Sequence, residues 1–300
     1  MALVRRAYVD GPCGQMHVRQ AKPQDDQGKH APLLCIHMSP MSSRTFQALL
    51  GDLGDDRHAI AFDTPGFGQS DPPDAPPSIA DYARFLDAGL TALGVTTPVD
   101  VFGYHTGAMI GVEMALLSPT RVRRLVTVSA PVFTDEDRRQ FETYYHGLSV
   151  TADGSHVLAR WKSFLYHHLR PGVTLEHVAE AFPEALIAGR KGEWGHSAAF
   201  AYDLGGRMPL VQQPFLILNT GDDLDLYTRR AEGLAPSSRI LEVPGWGHGF
   251  LDQHTADAAG LLRAFLNAGD GMPAPNDGVK PPASALGPRY PERPGAFAPR

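Results

Sequence analysis

Cysteine is scarce in this sequence: Cys13 and Cys35 are the two present in 300 residues. Their positions fit no zinc-ligand spacing, and one pair cannot build a disulfide framework. Long apolar runs are missing as well; none reaches the length that spans a bilayer. Met1 to Val9 holds no apolar stretch of leader-peptide length. Positive charge is not in excess. Lys and Arg number 27 against 33 Asp and Glu, for a net charge of −6. That balance supplies no field for nucleic acid or an anionic membrane. Internal repeats and long charge runs are absent too. Together these lacks point to a cytoplasmic protein whose partner is a small molecule, with no nucleic acid and no membrane. A homodimer stays open.

What is present is an ordinary globular composition, 43% apolar and 20% charged. The chain turns on one stretch, Val99 to Ile110. Val99-Asp100-Val101-Phe102 reads as a buried strand. Gly103-Tyr104-His105-Thr106-Gly107 follows, and then a small, apolar helix from Ala108 to Leu116. Strand, sharp turn and helix is the setting of a nucleophile elbow. Glycines at both flanks let strand and helix approach without side-chain clash. A serine is usual at the centre of such a turn; here the residue is His105.

The rest of the chain follows an alternating pattern. Residues 3 to 9 and 15 to 20 read as an opening hairpin. Pro32 to Ile36, His58 to Phe62 and Val122 to Ser129 read as strands, and helices fall near Phe46 to Leu53 and from Ser78, an N-cap, to about Gly94. Such alternation predicts βαβ units and a mostly parallel sheet flanked by helices. From Thr134 to about Arg207 the pattern is helical only. Pro214 to Leu218 and Arg239 to Val243 restore strands, and Thr255 to Leu266 is the last helix. The expected organisation is a core over 1–133 and 208–268, a helical cap over 134–207, and a Pro/Gly/Ala-rich tail over 269–300. The tail lacks apolar periodicity, so it is expected to be disordered or extended and dispensable for the core.

Four motifs, in order and in register, make the chain from about residue 5 to 266 resemble the capped α/β-hydrolase superfamily. His37-Met38-Ser39-Pro40 resembles its His-Gly-x-Pro oxyanion loop. Asp63-Thr64-Pro65-Gly66-Phe67-Gly68-Gln69-Ser70 resembles its Asp-x-Pro-Gly-x-Gly-x-Ser loop. Gly103 to Gly107 resembles the elbow, and Pro244-Gly245-Trp246-Gly247-His248-Gly249 the loop that carries the catalytic histidine.

The resemblance implies roles for named residues. His248 is the expected general base. Asp223 aligns without a gap on the acid position after the strand 214–218, with Asp222 and Asp225 as fallbacks. Its part is to fix the imidazole tautomer and stabilise the imidazolium. Backbone N–H groups of Ser39 and Thr106 are expected at the oxyanion, with Met38 where glycine is usual and Tyr104 beside the elbow as a substrate contact. His105 has three readings: a general base for water or a substrate proton, a nucleophile forming an acyl intermediate, or a relic in a ligand-binding protein without turnover. The first leads, with His248 and Asp223 orienting or relaying. A two-histidine, one-carboxylate metal site at His105 and His248 has no spacing motif behind it, so neither a metal nor another cofactor is expected. The activity expected from the resemblance is hydrolysis of a small, largely apolar ester, lactone or C–C-bonded carbonyl compound, the alternative being cofactor-free lyase or oxygenase chemistry by proton abstraction. Cap aromatics set the substrate in this reading: Phe141, Tyr144, Tyr145, Trp161, Phe164, Tyr166, Phe182, Trp194, Phe200 and Tyr202. His167, His168 and His196 receive no role.

Overall fold

Four short apolar runs set the centre of the molecule. Leu33–Ile36, Ala59–Phe62, Val99–Tyr104 and Phe215–Asn219 are buried at every residue. Burial on both faces is the mark of parallel strands covered by helices on each side. The computed structural model describes residues 1–24, 29–144, 149–169, 172–268 and 279–286.

One eight-stranded sheet results. Its strands are β1 (Arg5–Gly11), β2 (Gly14–Ala21), β3 (Leu33–Ile36), β4 (Ala59–Phe62), β5 (Val99–Tyr104), β6 (Val122–Val128), β7 (Phe215–Asn219) and β8 (Ser238–Glu242), in the spatial order β1-β2-β4-β3-β5-β6-β7-β8. The β1–β2 and β2–β4 pairs are antiparallel; all other pairs are parallel. The chain runs outward from β3 in one direction and, after β5, in the other. The switch point between β3 and β5 is where open α/β sheets bind ligands.

Helices α1 (Gln47–Leu53), α2 (Ile79–Ala92), α3 (Thr106–Leu117) and α12 (Thr255–Leu266) flank the sheet. Helix α2 starts where the sequence places it. Ser78 Oγ accepts from Asp81 N at 3.2 Å and Asp81 Oδ2 accepts from Ser78 N at 3.0 Å, which satisfies two donors reciprocally. Helix α3 is buried from Thr106 to Ala115, with Glu113 as its one charged residue. Between β6 and β7 the chain is helical: α4 (Asp135–Tyr144), α5 (Ser155–His168), α6 (Leu175–Ala181), α7 (Glu184–Ile187), α8 (Trp194–Ala201) and α9 (Leu204–Arg207). The single helix read over 174–188 is two, because Pro183 stands between them. Two short helices were not legible in the sequence, α10 (Asp225–Arg229) and α11 (Phe250–Gln253). Each is about one turn, too short to show a period. Among the described residues no helix is long and apolar enough to cross a membrane.

The cap is fastened at both ends. Glu113 of α3 accepts both guanidinium arms of Arg207, at 2.8 and 3.0 Å, and the Tyr202 hydroxyl at 2.7 Å. At the other end Asp137 pairs with Arg230 of the core. Phe133, Phe141, Phe200 and Tyr227 stack between cap and core at centroid distances of 4.9 to 5.6 Å.

Part of the tail docks. Residues 279–286 lie on the loop after β8; positions 269–278 and 287–300 fall outside the described residues. Ala285 is fully buried and Val279 nearly so. Ala285 O accepts from Gly245 N at 3.0 Å, Ser284 Oγ accepts from Trp246 Nε1 at 3.3 Å, and Val279 O accepts from Arg239 at 3.2 Å. Small apolar residues between prolines carry no period, so the sequence gives no sign of this contact. Dispensability of the tail therefore does not extend to this segment. Ending the chain at residue 278 is expected to cost on the order of 2 kcal/mol from lost burial and hydrogen bonds. A thermal melt reads this as a fall of a few degrees; an unchanged midpoint would show the contact to be idle.

The loop after β4 is held by a buried carboxylate. Asp63 accepts from His17 Nδ1 (2.9 Å), Ser43 N (2.8 Å) and Gln69 N (2.8 Å). Burial pushes its carboxyl up, but these donors outweigh burial and hold it down at about 2. A depressed carboxylate stabilises the fold above its ordinary 3.8 and loses that stabilisation as pH falls through about 2. Linkage puts the contribution at about 2 to 3 kcal/mol. Asp63→Asn is expected to remove it at neutral pH and to flatten stability between pH 4 and 2. Denaturant melts across that range test this, and an unchanged acid limb would refute it.

Candidate active site

The turn after β5 is strained by its neighbours. His105 has φ +49° and ψ −106°. Among the described non-glycine residues only His105 and Ser129 take positive φ. Such backbone costs roughly 1–3 kcal/mol and persists where the surroundings over-determine it. Here they do. His105 N donates to Val128 O at 3.0 Å, and His105 O accepts from Ala108 N at 2.8 Å. A Cβ on Gly103 would stand 2.3 Å from Gly107 O, and one on Gly107 would stand 2.1 Å from Ile36 O. The turn thus projects His105 over the ends of β3 and β6.

Two acids from the loop after β7 meet two histidines. His105 Nε2 lies 2.8 Å from Asp222 Oδ2, and His248 Nε2 lies 2.5 Å from Asp223 Oδ1. The two imidazoles stand edge to face, with centroids 4.9 Å apart. Asp222 is filled with donors. Besides His105 it accepts from Thr220 Oγ1 at 2.8 Å, Leu224 N at 2.9 Å and Ser129 Oγ at 3.3 Å. Burial would raise its carboxyl; the facing His105 and then His248 hold it down at about 2. Burial likewise opposes ionisation of Asp223, but His248 and His167 pull it well below the usual carboxylate range.

The cap adds two more imidazoles. His167 Nδ1 is 3.7 Å from Asp223 Oδ2. The rings of His167 and His168 lie 5.4 and 5.6 Å from that of His248. His168 stacks on Phe164 at 4.0 Å. Burial, then the neighbouring His248 and His167, push His168 well below the ordinary histidine range. The sequence signals neither residue's place here, because an adjacent pair at a helix end carries no spacing toward position 248.

The remaining candidates fall as follows. Asp225 turns away, onto Asn219 at 2.5 Å and Arg229 at 3.3 Å, and takes no part. Tyr104 is fully buried and edge-on to His105, so it supports that ring from beneath instead of lining a pocket. Its place as the last strand residue turns it into the core between His105 and Phe250. Thr106 is buried at the first turn of α3. Met38 is buried without needing positive φ, and Ser39 is half-buried against Gly195 of α8. His37 locks this loop: it is buried, donates from Nδ1 to Met38 O at 2.9 Å, and accepts at Nε2 from Thr64 N at 3.0 Å. Burial keeps it neutral, as that acceptor role requires.

A cavity of about 630 Å³ opens beside the pair of dyads, between residues 1–4, α1 and α6. Met38, His168 and Gly249 line its side toward the histidines; Met41, Val178 and Ala181 add apolar wall. The cap aromatics sort differently from the expectation. Phe141 and Phe200 pack in the cap–core seam, Trp161 packs on Phe182 at 5.1 Å, and Tyr202 holds Glu113. Tyr145 and the side chain of Tyr144 lie outside the described residues.

Comparison with known proteins follows this geometry. A family model described as alpha/beta hydrolase fold matches residues 31–255. A protein of Azorhizobium caulinodans named as a carbamate hydrolase, RutD, is 32% identical over 203 residues, covering 65% of this chain and 76% of that protein. A haloalkane dehalogenase of Bradyrhizobium diazoefficiens is 30% identical over 190 residues, covering 62% and 56%. Among solved structures, an esterase from Exiguobacterium antarcticum superposes with a TM-score of 0.71 at 17% identity, over 88% of this chain and all of that one. The enol-lactonase from Burkholderia xenovorans gives 0.66 at 18%, over 84% and 96%. At such identities the structures share the fold.

Proposed function

The chain belongs to the α/β hydrolase fold family, and from that premise we propose that it is a hydrolase of a small, largely apolar ester, lactone or carbamate. In this reading His105 is the general base and water the nucleophile. The observation that carries it is the 2.8 Å contact between His105 Nε2 and a buried, ionised Asp222. A carboxylate only accepts, so Nε2 bears the proton and Nδ1 the lone pair. That is the oriented imidazole of a hydrolytic triad, moved onto the elbow itself.

The steps follow from that tautomer. Nδ1 takes a proton from water as the oxygen attacks the substrate carbonyl carbon. Asp222 stabilises the imidazolium that forms. Backbone N–H groups of Ser39 and Thr106 receive the oxyanion. On collapse, the proton on Nδ1 passes to the leaving oxygen or nitrogen. His248, held by Asp223, stands edge-on to His105 and fixes its ring. The substrate class rests on the apolar cavity wall and on the relatives named above.

Asp222→Asn separates this reading from a passive one. It keeps the shape but presents a donor, which favours the wrong His105 tautomer. On a panel of esters, lactones and carbamates kcat is expected to fall by roughly 10²- to 10⁴-fold, with KM little changed. Full turnover in this variant would end the proposal.

A further inference from the structure

We propose that His167, Asp223 and His248 bind one divalent transition-metal cation of the zinc type, tying the cap to the core. One ligand atom from each of these residues lies within 4.8 Å of the others. The present edges, one to each oxygen of Asp223, bracket that of a metal site. His248 Nε2 to Asp223 Oδ1 is 2.5 Å, and Asp223 Oδ2 to His167 Nδ1 is 3.7 Å. A tetrahedral zinc ion with bonds of about 2.1 Å sets its ligands about 3.4 Å apart. The cation takes the place of the His248–Asp223 hydrogen bond; a neutral imidazole that ligates through Nε2 carries its proton on Nδ1.

Charge and donor type favour such an ion. The carboxylates of the adjacent Asp222 and Asp223 converge on one cluster of imidazoles, and a dication suits such a pair. Two imidazoles and one carboxylate suit zinc, iron or cobalt more than calcium or magnesium. His167 sits in the last turn of α5, where the helix dipole turns its negative end toward a cation.

A second trio, His105, Asp222 and His248, shares one member with the first. Asp222 makes it the poorer site, because its oxygens already accept from four groups. Among the described residues Asp223 pairs with the two histidines of the proposed site. The two readings share His248 and Asp223 and are told apart by His105 and Asp222 on one side and His167 on the other.

Tag-free protein, stripped by a chelator, is titrated with Co²⁺ and followed by its visible absorption. The expected result is saturable binding of one ion, displaced by Zn²⁺. Zn²⁺ is expected to raise the melting temperature by a few degrees. His167→Ala, or His167→Gln if that folds poorly, is expected to weaken binding by more than roughly 100-fold, beyond the loss of an outer partner. His105→Ala is expected to bind as the parent does. No saturable binding would overturn the proposal. Binding that survives at His167→Ala but is lost at His105→Ala would move the ion to the second trio and overturn it equally.

Discussion

His105→Ala is expected to lower kcat/KM by roughly 10²- to 10⁴-fold, the range for a positioned acid–base group. The loss should be chemical and not structural. Alanine at position 105 keeps the left-handed backbone and leaves Gly103 and Gly107 in place. The melting temperature is therefore expected to change by only a few degrees, while turnover collapses. The parent protein is expected to resist serine-directed organophosphates, because no serine occupies the elbow. Mass spectrometry of quenched turnover decides between two roles for the imidazole. A base leaves His105 unmodified; an acyl adduct on it would replace water activation with covalent catalysis. Full activity in His105→Ala would make the residue a spectator.

The largest loss of stability is expected at Gly107→Ala. The added methyl carbon would lie 2.1 Å from Ile36 O, 2.7 Å from Ile36 C and 3.0 Å from His37 O. All three are backbone atoms of the central strand and its loop, so no rotamer change relieves the overlap. Either α3 moves off the sheet or β3 shifts. The cost is expected to exceed about 4 kcal/mol, in the tail of single-residue effects. Soluble yield and the denaturant midpoint measure it. A midpoint near the parent's would mean that the helix has room to slide, and would weaken the claim that this turn is over-determined.

Much of the fold was legible because its elements announce themselves. Runs such as Leu33-Leu34-Cys35-Ile36 and Phe215-Leu216-Ile217-Leu218 have one reading when helices alternate with them. The elbow and the three other motif loops were legible for a related reason: glycine and proline mark backbone that few other residues can adopt. The site was legible one partner at a time. The resemblance puts Asp223 at the acid position facing His248, and the structure sets them 2.5 Å apart. Counting cannot say that the adjacent Asp222 turns the other way, to His105, because neighbouring loop residues point in directions fixed by tertiary contacts. Here Thr220 and Leu224 set that direction. His167 and His168 reach the site through the packing of a whole cap helix, and no local pattern encodes that.

The grip of Glu113 on Arg207 and Tyr202 decides how the molecule can breathe. Helix α3 begins just after His105, and its only charge clamps the point where the chain leaves the cap. A second rivet, Asp137 to Arg230, holds the point where the chain enters it. The α5–α6 side of the cap, by Met38 and His168, is tied down as well: His177 of α6 pairs with Asp252 at 3.2 Å, and Glu184 of α7 with Ser42. On that side His167 of the cap faces Asp223 of the core across the seam, whereas His105 and Asp222 both belong to the core, so one of the two carboxylates at the site answers to the cap and the other does not.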